Sequence, residues 1–441
     1  MFLEISFLLL TIFWIIIGCS LFKWHPFYVL LAGCVFLSFT IKIDPRDVPF
    51  EIIKGFIKTI RSIGLLILFG AIIGIALEKS HATKVIAVSI LKYFIKIPIT
   101  YTISLIGFIV SIPVFCDAAF VILSTLNKKL SEITSRSKTS LTVALSTGLF
   151  APHVLVPPTP GPIAAASILN LENILYLFLF GGILALILAL TGALFSEYFI
   201  EKVKFSSNNM LNLKDLKKIS VADHNTLDFK MASSPIWVPI VLMALGPLVK
   251  DFNDYLNLIS NPTFALFIGA IISLWISFKK NSLMDIFFPS IKLSIPIIGI
   301  TGMGGALGSI IQNINIASWF NEISSISTMG IIIPFIIAAT LKTAQGSSTV
   351  AIITASSIVA PILYVFGLDN EMGKVLAILS IGVGSMTVSH SNDSYFWIVS
   401  QLGGIDIKTA YRTHTLATFI QGITGIFLIG IFFSIISFFS F

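Results

Sequence analysis

Long apolar runs separated by short polar segments make up most of the chain. A membrane-crossing helix needs about 20 mostly apolar residues, and runs approaching or reaching that length recur from one end of the sequence to the other. This pattern predicts an all-α polytopic membrane protein. The uninterrupted runs that could cross a bilayer are Leu3–Phe22, Pro26–Ile41, Ile63–Leu77, Leu175–Phe199, Pro235–Val249, Pro262–Phe278, Ser294–Ile311 and Thr415–Phe438.

A second set of apolar runs is interrupted near the middle by polar or proline-rich residues. Non-helical backbone at membrane depth survives only where it is buried in protein or lines a water-filled cavity. We therefore predict that each half of the chain carries one re-entrant hairpin followed by one broken transmembrane helix. The interrupted runs are Ile99–Leu126, broken at Pro113–Asp117; Thr139–Leu169, broken at Pro152–His153 and Pro157–Pro162; Gly330–Phe366, broken at Lys342–Thr349; and Val375–Leu402, broken at Ser389–Ser394.

The two halves of the chain resemble each other at an offset of 234 residues. Gly70 and Gly74 align with Gly304 and Gly308 at this offset, and the proline-rich break of the first half then falls on the polar break of the second. Such internal symmetry is typical of transporters built from repeats. The predicted units are a first transmembrane repeat at 1–200, a cytoplasmic linker at 201–230 and a second transmembrane repeat at 231–441.

The charges in the connecting segments indicate that the two repeats are inverted. Bases exceed acids at 128–138, after the first hairpin, whereas acids exceed bases at the corresponding 369–374. No base closely follows the first broken helix, but Lys408 and Arg412 follow the second. Since cytoplasmic loops are enriched in bases, this reversal favours opposite orientations. The basic segment Lys42–Arg61 would then lie outside, and we interpret it as a helix flat on the interface.

Composition agrees with a membrane protein and excludes several other classes. Of the 441 residues, 56% are hydrophobic and 11% are charged, with a mean hydropathy of +0.98, whereas globular domains are about 25% charged. The net charge of +7 does not indicate a nucleic-acid partner, because six of the 28 bases lie in the linker. Cys19, Cys34 and Cys116 lie in apolar runs without paired spacing, so we expect no disulfide framework, no metal site and no cofactor.

Lys342 is the most informative cation, because it precedes a polar run at the predicted tip of the second hairpin. We expect it to bind a substrate carboxylate, together with the hydroxyl groups of Ser347, Ser348 and Thr349 and the backbone at Gly346. The alternative is that Lys342 extends to the surface or neutralises a nearby aspartate.

Asp393 and Asp117 are the candidate proton carriers. A carboxylate in a low-dielectric pocket can take up and release a proton, although either residue could instead cap the N-terminus of a half-helix. His390 and His153 fall in corresponding breaks and could relay protons. A buried neutral histidine bonded to a backbone carbonyl is an equally common arrangement.

Three further polar residues could bind the hydroxyl groups of a polyol-like solute. They are Gln345, Thr159 and Asn392. Each could equally satisfy backbone groups that a break leaves without partners.

Four motifs together resemble the gluconate:proton symporter family, the GntP-type permeases of the ion transporter superfamily. They are Ile112–Leu123, Pro157–Pro162, Ala344–Ala351 and His390–Trp397. The resemblance implies proton-coupled uptake of a small hydroxy or amino carboxylate, such as gluconate, another aldonate, glycerate or D-serine. It also implies a bacterial inner-membrane protein with inverted repeats, a homodimer, and an elevator-like movement of the hairpin-bearing part.

Two other functions remain open on sequence grounds. A sodium-coupled carboxylate carrier or a cation/proton antiporter would share the broken-helix plan. An intramembrane enzyme could use Asp117 and Asp393 as an acid/base pair, but a nucleophile or a metal constellation would also be needed. No Gly-x4-Gly-Lys-Ser/Thr sequence is present, so a gradient rather than ATP is expected to supply the energy.

Overall fold

The computed structural model describes residues 2–20, 22, 24–94, 96–134, 136–200, 227–249, 261–278, 282–311, 313, 330–391 and 393–439. These ranges fold into helices and contain no β-strand. Most of the predicted linker, 201–226, lies outside the described residues.

The helices follow the predicted apolar runs, and α4 is an addition that the hydrophobic pattern did not predict. The first half contains α1 (Phe2–Ser20), α2 (Pro26–Thr40), α3 (Val48–Lys79), α4 (Ala82–Tyr93), α5 (Ile99–Ser111), α6 (Cys116–Thr134), α7 (Lys138–Leu155), α8 (Pro160–Ile168) and α9 (Ile174–Phe195), which a π-helical turn at Ser196–Ile200 extends. The second half contains α10 (Phe229–Val249), α11 (Pro262–Phe278), α12 (Leu283–Ile311), α13 (Ile332–Gln345), α14 (Ser348–Val359), α15 (Glu371–Met386), α16 (Ser394–Gly403), α17 (Ile407–Ala410) and α18 (Leu416–Phe439).

Several helices are long and apolar enough to cross a membrane. Within the described ranges there are five such spans, or six if the two limbs of α3 count as one. The limbs, Val48–Ser62 and Gly64–Lys79, meet at 44°, beside a serine and a glycine of the kind that permits helix bends. The all-α polytopic fold is therefore confirmed, while the interfacial position of Lys42–Arg61 stays a prediction.

All four interrupted runs are broken in the structure, but two of the breaks are shorter than predicted. The prediction of a break at Pro152–His153 was wrong, because α7 continues to Leu155 with Pro152 in its interior. A single proline removes one helical hydrogen bond, and membrane helices surrounded by protein tolerate that loss.

The break of the second hairpin is confined to Gly346 and Ser347. Lys342 lies in the last turn of α13, which ends where Gly346 adopts a φ of 81°. The lack of a side chain makes this left-handed conformation accessible to glycine. The Ser347 hydroxyl then accepts a hydrogen bond from the Val350 N–H at 3.4 Å and caps α14, so a single glycine-serine pair ends one helix and begins the next.

Helices of one half pack against helices of the other half, and the contacts are reciprocal. α3 packs along α12, its counterpart at the 234-residue offset, and also against α11; α12 packs in turn against α2, the counterpart of α11. The same reciprocity relates the packing of α6 on α16 to that of α8 on α14. These reciprocal contacts fit a two-fold relation between the halves, and the inverted orientation of the repeats stays a prediction.

Gly70 and Gly74 of α3 lie against the two breaks of the first half, whereas Gly55 of the same helix packs against α12. A Cβ atom added at Gly74 would lie 2.9 Å from the carbonyl oxygen of Pro113, and one at Gly70 would lie 3.0 Å from that of Pro158. The hairpin tip and the proline-rich break therefore both contact the face of α3 that carries Gly70 and Gly74. This close approach fixes both breaks at the same level of the molecule.

Close packing between α5 and α7 likewise requires a residue without a side chain, Gly148. A Cβ atom at Gly148 would overlap the carbonyl oxygen of Ser104, whereas one at Gly182 on α9 would meet nothing within 4 Å. We expect Gly148→Ala to force the helices apart and to lower the free energy of unfolding by about 1–3 kcal/mol, as overpacking does. The measurement is the thermal unfolding midpoint in detergent.

Gly182→Ala is the matched control for this prediction. It adds the same methyl group to a helix, where alanine is favoured over glycine, so its midpoint should be unchanged or slightly raised. An equal response of the two variants would contradict the packing argument.

Candidate functional site

A cavity of about 230 Å³ lies where the four broken elements meet. The first hairpin (α5 and α6) and the first broken helix (α7 and α8) form one side, and the second hairpin (α13 and α14) and second broken helix (α15 and α16) form another. Helix α12 closes the cavity as a wall. The lining residues are Phe115, Cys116, Asp117, Phe150, His153, Leu293, Pro296, Ile297, Ile300, Ser347, Ser348, Thr349, Val350, Ile353, Asp393, Ser394 and Tyr395.

A buried ion pair lies directly behind the polar side of this cavity. Lys342 Nζ is 2.6 Å from Asp393 Oδ2, and the two residues are 1% and 4% exposed. The ammonium also donates to the carbonyl oxygen of Gly346 at 2.7 Å and lies 5.5 Å from the centre of the Phe150 ring. Lys342 itself does not line the cavity, so in this conformation it neutralises Asp393, the alternative considered from the sequence.

Asp393 uses both carboxylate oxygens. Oδ1 accepts a hydrogen bond from the Tyr395 N–H at 3.0 Å and so caps α16. Oδ2 accepts one from the Ser389 hydroxyl at 2.6 Å in addition to its contact with Lys342. Asp393 is thus a helix cap and an ion-pair partner, and it also faces the cavity.

Three helix N-termini meet at the cavity. α6 begins at Cys116, α14 at Ser348 and α16 at Ser394, and all three residues belong to the lining. The first N–H groups of a helix have no acceptor within the helix, and the aligned peptide dipoles give that end a partial positive charge. Such ends bind carboxylates and phosphates. These ends favour an anionic group, and part of their capacity is already used, because the N–H groups of Val350 and Tyr395 donate to Ser347 and Asp393.

The first half contributes a carboxylate and an imidazole to the same cavity. Asp117 approaches the Cys116 thiol at 3.9 Å, and no closer hydrogen-bond partner is found for it among the described residues. The His153 ring centre is 6.0 Å from that of Phe115. Its buried Nδ1 also has no partner within the described part of the chain. These two groups retain capacity to bind a solute.

Other predicted residues lie outside the cavity lining. The Thr159 hydroxyl donates to the carbonyl oxygen of Val156 at 2.5 Å, inside its own break. His390 Nε2 lies 2.8 Å from the carbonyl oxygen of Thr343 and so links the second broken helix to α13. Asn392 and the side chain of Gln345 fall outside the described residues.

His414 belongs to this network, although no sequence pattern predicts its position there. It is fully buried, with Nε2 3.2 Å from Ser389 Oγ and Nδ1 3.0 Å from Ser146 Oγ. The π-helical turn Tyr411–Thr415 carries it, and such turns are frequent at functional sites. Through Ser389, His414 is one hydrogen bond removed from Asp393. A π-turn cannot be recognised from hydrophobic spacing.

A larger cavity of about 400 Å³ lies elsewhere, between α3, α12 and the end of α8. Lys58 and Glu172 are its charged lining residues, and the hydroxyl groups of Ser62 and Ser167 meet across it at 2.7 Å. None of the predicted site residues lines it. The chemistry is therefore concentrated in the smaller cavity.

The buried ion pair allows a stability test. We expect Lys342→Met to leave Asp393 without its cation and to lower the free energy of unfolding by up to about 3–5 kcal/mol. The double variant Lys342→Met/Asp393→Asn should recover part of this loss, because asparagine can still cap α16 and no charge remains unpaired. Thermal unfolding of the single and double variants measures the coupling.

Lys374 provides the control, since it pairs with Glu371 at 3.2 Å in a more exposed position. Lys374→Met should cost less than about 1 kcal/mol. A double variant at the buried pair that is less stable than both single variants would show that the two charges are not coupled as described.

Comparison with known proteins identifies the family of the chain. Residues 3–436 match the GntP family permeases. A Haemophilus influenzae protein described as an uncharacterized permease is 30% identical, covering 96% of this chain and 91% of its own. The gluconate permease of Zymomonas mobilis is 26% identical with 94% of each chain covered, and the D-serine transporter DsdX of Escherichia coli K12 is 27% identical with 96% of each covered.

A solved structure shows the same fold at low sequence identity. The YdaH transporter of Alcanivorax borkumensis superimposes with a TM-score of 0.60 over 90% of each chain at 12% identity. The relatives are permeases and transporters, which confirms a carrier rather than an intramembrane enzyme. The described helices and the match over nearly the whole sequence together show that the chain belongs to the GntP family of permeases.

Proposed function

We propose that the protein is a secondary transporter of the bacterial cytoplasmic membrane that couples the uptake of a small hydroxycarboxylate to protons. Relatives are named for gluconate, L-idonate and D-serine, and one is named an inner membrane permease. The observation that carries the proposal is the convergence of three helix N-termini and the Lys342–Asp393 pair on one cavity. Inverted repeats at 1–200 and 231–441 and a homodimer are part of the same proposal.

The substrate carboxylate is proposed to bind at the N-termini of α14 and α16. Ser347, Ser348 and Thr349 offer hydroxyl groups there, beside the first N–H groups of α14. A carboxylate accepts such bonds strongly because it is charged. Asp117 and His153, which line the same cavity, are proposed to bind a hydroxyl group of that solute.

Charge balance is the argument for proton coupling. With both carboxylates ionised, Asp117 and Asp393 outnumber the single cation Lys342 around this cavity. A second anion at about 5 Å, with an effective dielectric constant of about 20, would be repelled by about 3 kcal/mol. That penalty corresponds to more than a hundredfold in affinity. An anionic solute therefore binds well only when at least one proton accompanies it.

Protonation of Asp393 has a second effect on binding. A neutral carboxyl group holds the Lys342 ammonium less strongly, so the positive charge behind the cavity becomes available to the substrate. Proton and substrate then favour each other's binding, as thermodynamic linkage requires. Asp117 is a second proton site, and His153 and His390 are proposed to relay protons between the cavity and its surroundings.

Asp393→Asn tests the coupling directly. Asparagine preserves the cap of α16 but cannot exchange a proton, so we expect accumulation of labelled substrate driven by a pH gradient to fall roughly tenfold or more. Exchange between labelled and unlabelled substrate at equal pH should survive. Both rates are measured in proteoliposomes with an alkaline interior, without sodium, using gluconate and glycerate as probes.

Asp369→Asn is the matched control, because Asp369 is exposed and does not line the cavity. Its accumulation should equal that of the unaltered protein. Uptake that requires a sodium gradient and ignores the pH gradient would replace the proton mechanism with sodium coupling. Unchanged accumulation in Asp393→Asn would remove Asp393 from the coupling role.

A further inference from the structure

The part of the cavity lining that α12 contributes is apolar throughout. α12 presents Leu293, Pro296, Ile297 and Ile300 to the cavity, and Ile353 of α14 continues this surface. None of these side chains can donate or accept a hydrogen bond. A polar group of a solute that reaches α12 therefore loses its hydrogen bonds to water and gains none from α12.

The polar groups lie together, and several are already engaged. Asp393 holds Lys342, Ser389 and the Tyr395 N–H, and the Ser347 hydroxyl caps α14. Hydrogen-bonding capacity remains at Asp117 and His153, and the hydroxyl groups of Ser348, Thr349 and Ser394 also line the cavity. With these hydroxyl groups assigned to the carboxylate, Asp117 and His153 remain for one or two polar substituents next to the carboxyl group.

This distribution of polar and apolar lining residues favours the binding of short acids over sugar acids. A hexonate such as gluconate carries a hydroxyl group on every carbon beyond the carboxylate, and its far end would lie against the wall of α12. A hydroxyl group that is buried without a partner loses affinity. The cavity of about 230 Å³ is also below the range of about 300–1,000 Å³ that is typical of drug-sized ligands.

We propose that the physiological solute is a short-chain carboxylate of about the size of glycerate, with one or two polar substituents next to the carboxyl group, rather than a hexonate. The carboxylate binds at α14 and α16, the substituent binds Asp117 and His153, and the remaining carbon contacts α12. A hydroxyl or an ammonium group would satisfy this pattern equally. The inference rests on the proposed function and specifies its substrate class.

The test is equilibrium binding to the purified protein in detergent, with D-glycerate, L-lactate, D-serine and D-gluconate as separate probes. We expect at least one of the three short acids to bind roughly tenfold or more tightly than gluconate. Glycerate and serine distinguish a hydroxyl from an ammonium preference, and either preference supports the proposal. Gluconate binding as tightly as the best short acid, or more tightly, would overturn it.

A variant pair tests the role of the wall. Ile297→Ser places a hydroxyl group and additional space on the cavity side of α12, whereas the neighbouring Ile298 is absent from the lining and serves as control through Ile298→Ser. We expect Ile297→Ser to shift the affinity ratio toward gluconate by roughly fivefold or more, and Ile298→Ser to leave it unchanged. Identical ratios in the two variants would overturn the assignment of the wall.

Binding in detergent requires no gradient, and measuring every probe at one fixed pH holds the proposed proton linkage constant across the ranking. Loss of the pH-driven uptake proposed above with the short-acid preference intact would reject proton coupling alone. Intact proton-driven uptake with a preference for gluconate would reject the short-acid inference alone.

Discussion

Backbone polar groups freed at a helix break find no water at membrane depth, so each must be satisfied within the protein. This constraint explains much of the polar chemistry in the molecule. The Thr159 hydroxyl bonds the carbonyl oxygen of Val156, Lys342 bonds that of Gly346, and Thr415 bonds that of Ser389 at 2.6 Å. The N–H of Ser389 donates to the Thr418 hydroxyl at 3.0 Å. Polar side chains near the candidate site therefore also stabilise the backbone at the helix breaks.

The two halves satisfy this constraint differently, and the difference creates the site. The first-half breaks rest against the glycine face of α3, which leaves Asp117 and His153 directed at the cavity. The second-half breaks are held by charge and hydrogen bonds from Lys342, Asp393 and the start of α18. The corresponding breaks of the two halves therefore contribute different groups. The first half supplies polar groups with free hydrogen-bonding capacity, and the second half supplies a lysine whose charge is neutralised.

Much of the fold could be predicted from the sequence because apolar runs and their interruptions report directly on burial in lipid. Most helix positions and the four broken elements followed from that pattern, whereas α4 did not. The extent of a break did not, because Pro152 remains helical inside a tightly packed α7 and Lys342 remains in the last turn of α13. Helix propensity alone does not indicate whether the surrounding packing compensates for a lost helical hydrogen bond.

The site was predictable only where a residue lay in an interruption. Asp117, Ser347, Ser348, Thr349 and Asp393 line the cavity, which their positions at predicted breaks had suggested. His153 also lines it, but from the continuous helix α7. His414 was out of reach, because its contact with Ser146 joins residues 268 positions apart through a π-turn. Likewise, the pairing of Lys342 with Asp393 instead of a solute depends on three-dimensional distance.

Under the proposed mechanism, the buried ion pair and a solute site are compatible, because the charge of Lys342 would take part in both. Paired with Asp393, Lys342 bears no net cost of an isolated charge in a low-dielectric interior, which a lone buried lysine would. In that mechanism, a proton on Asp393 weakens its hold on the Lys342 ammonium, and an anionic solute would take over part of the neutralisation. The position of Lys342 behind the lining, in contact with a carboxylate that faces the cavity, is what such an exchange of partners would require.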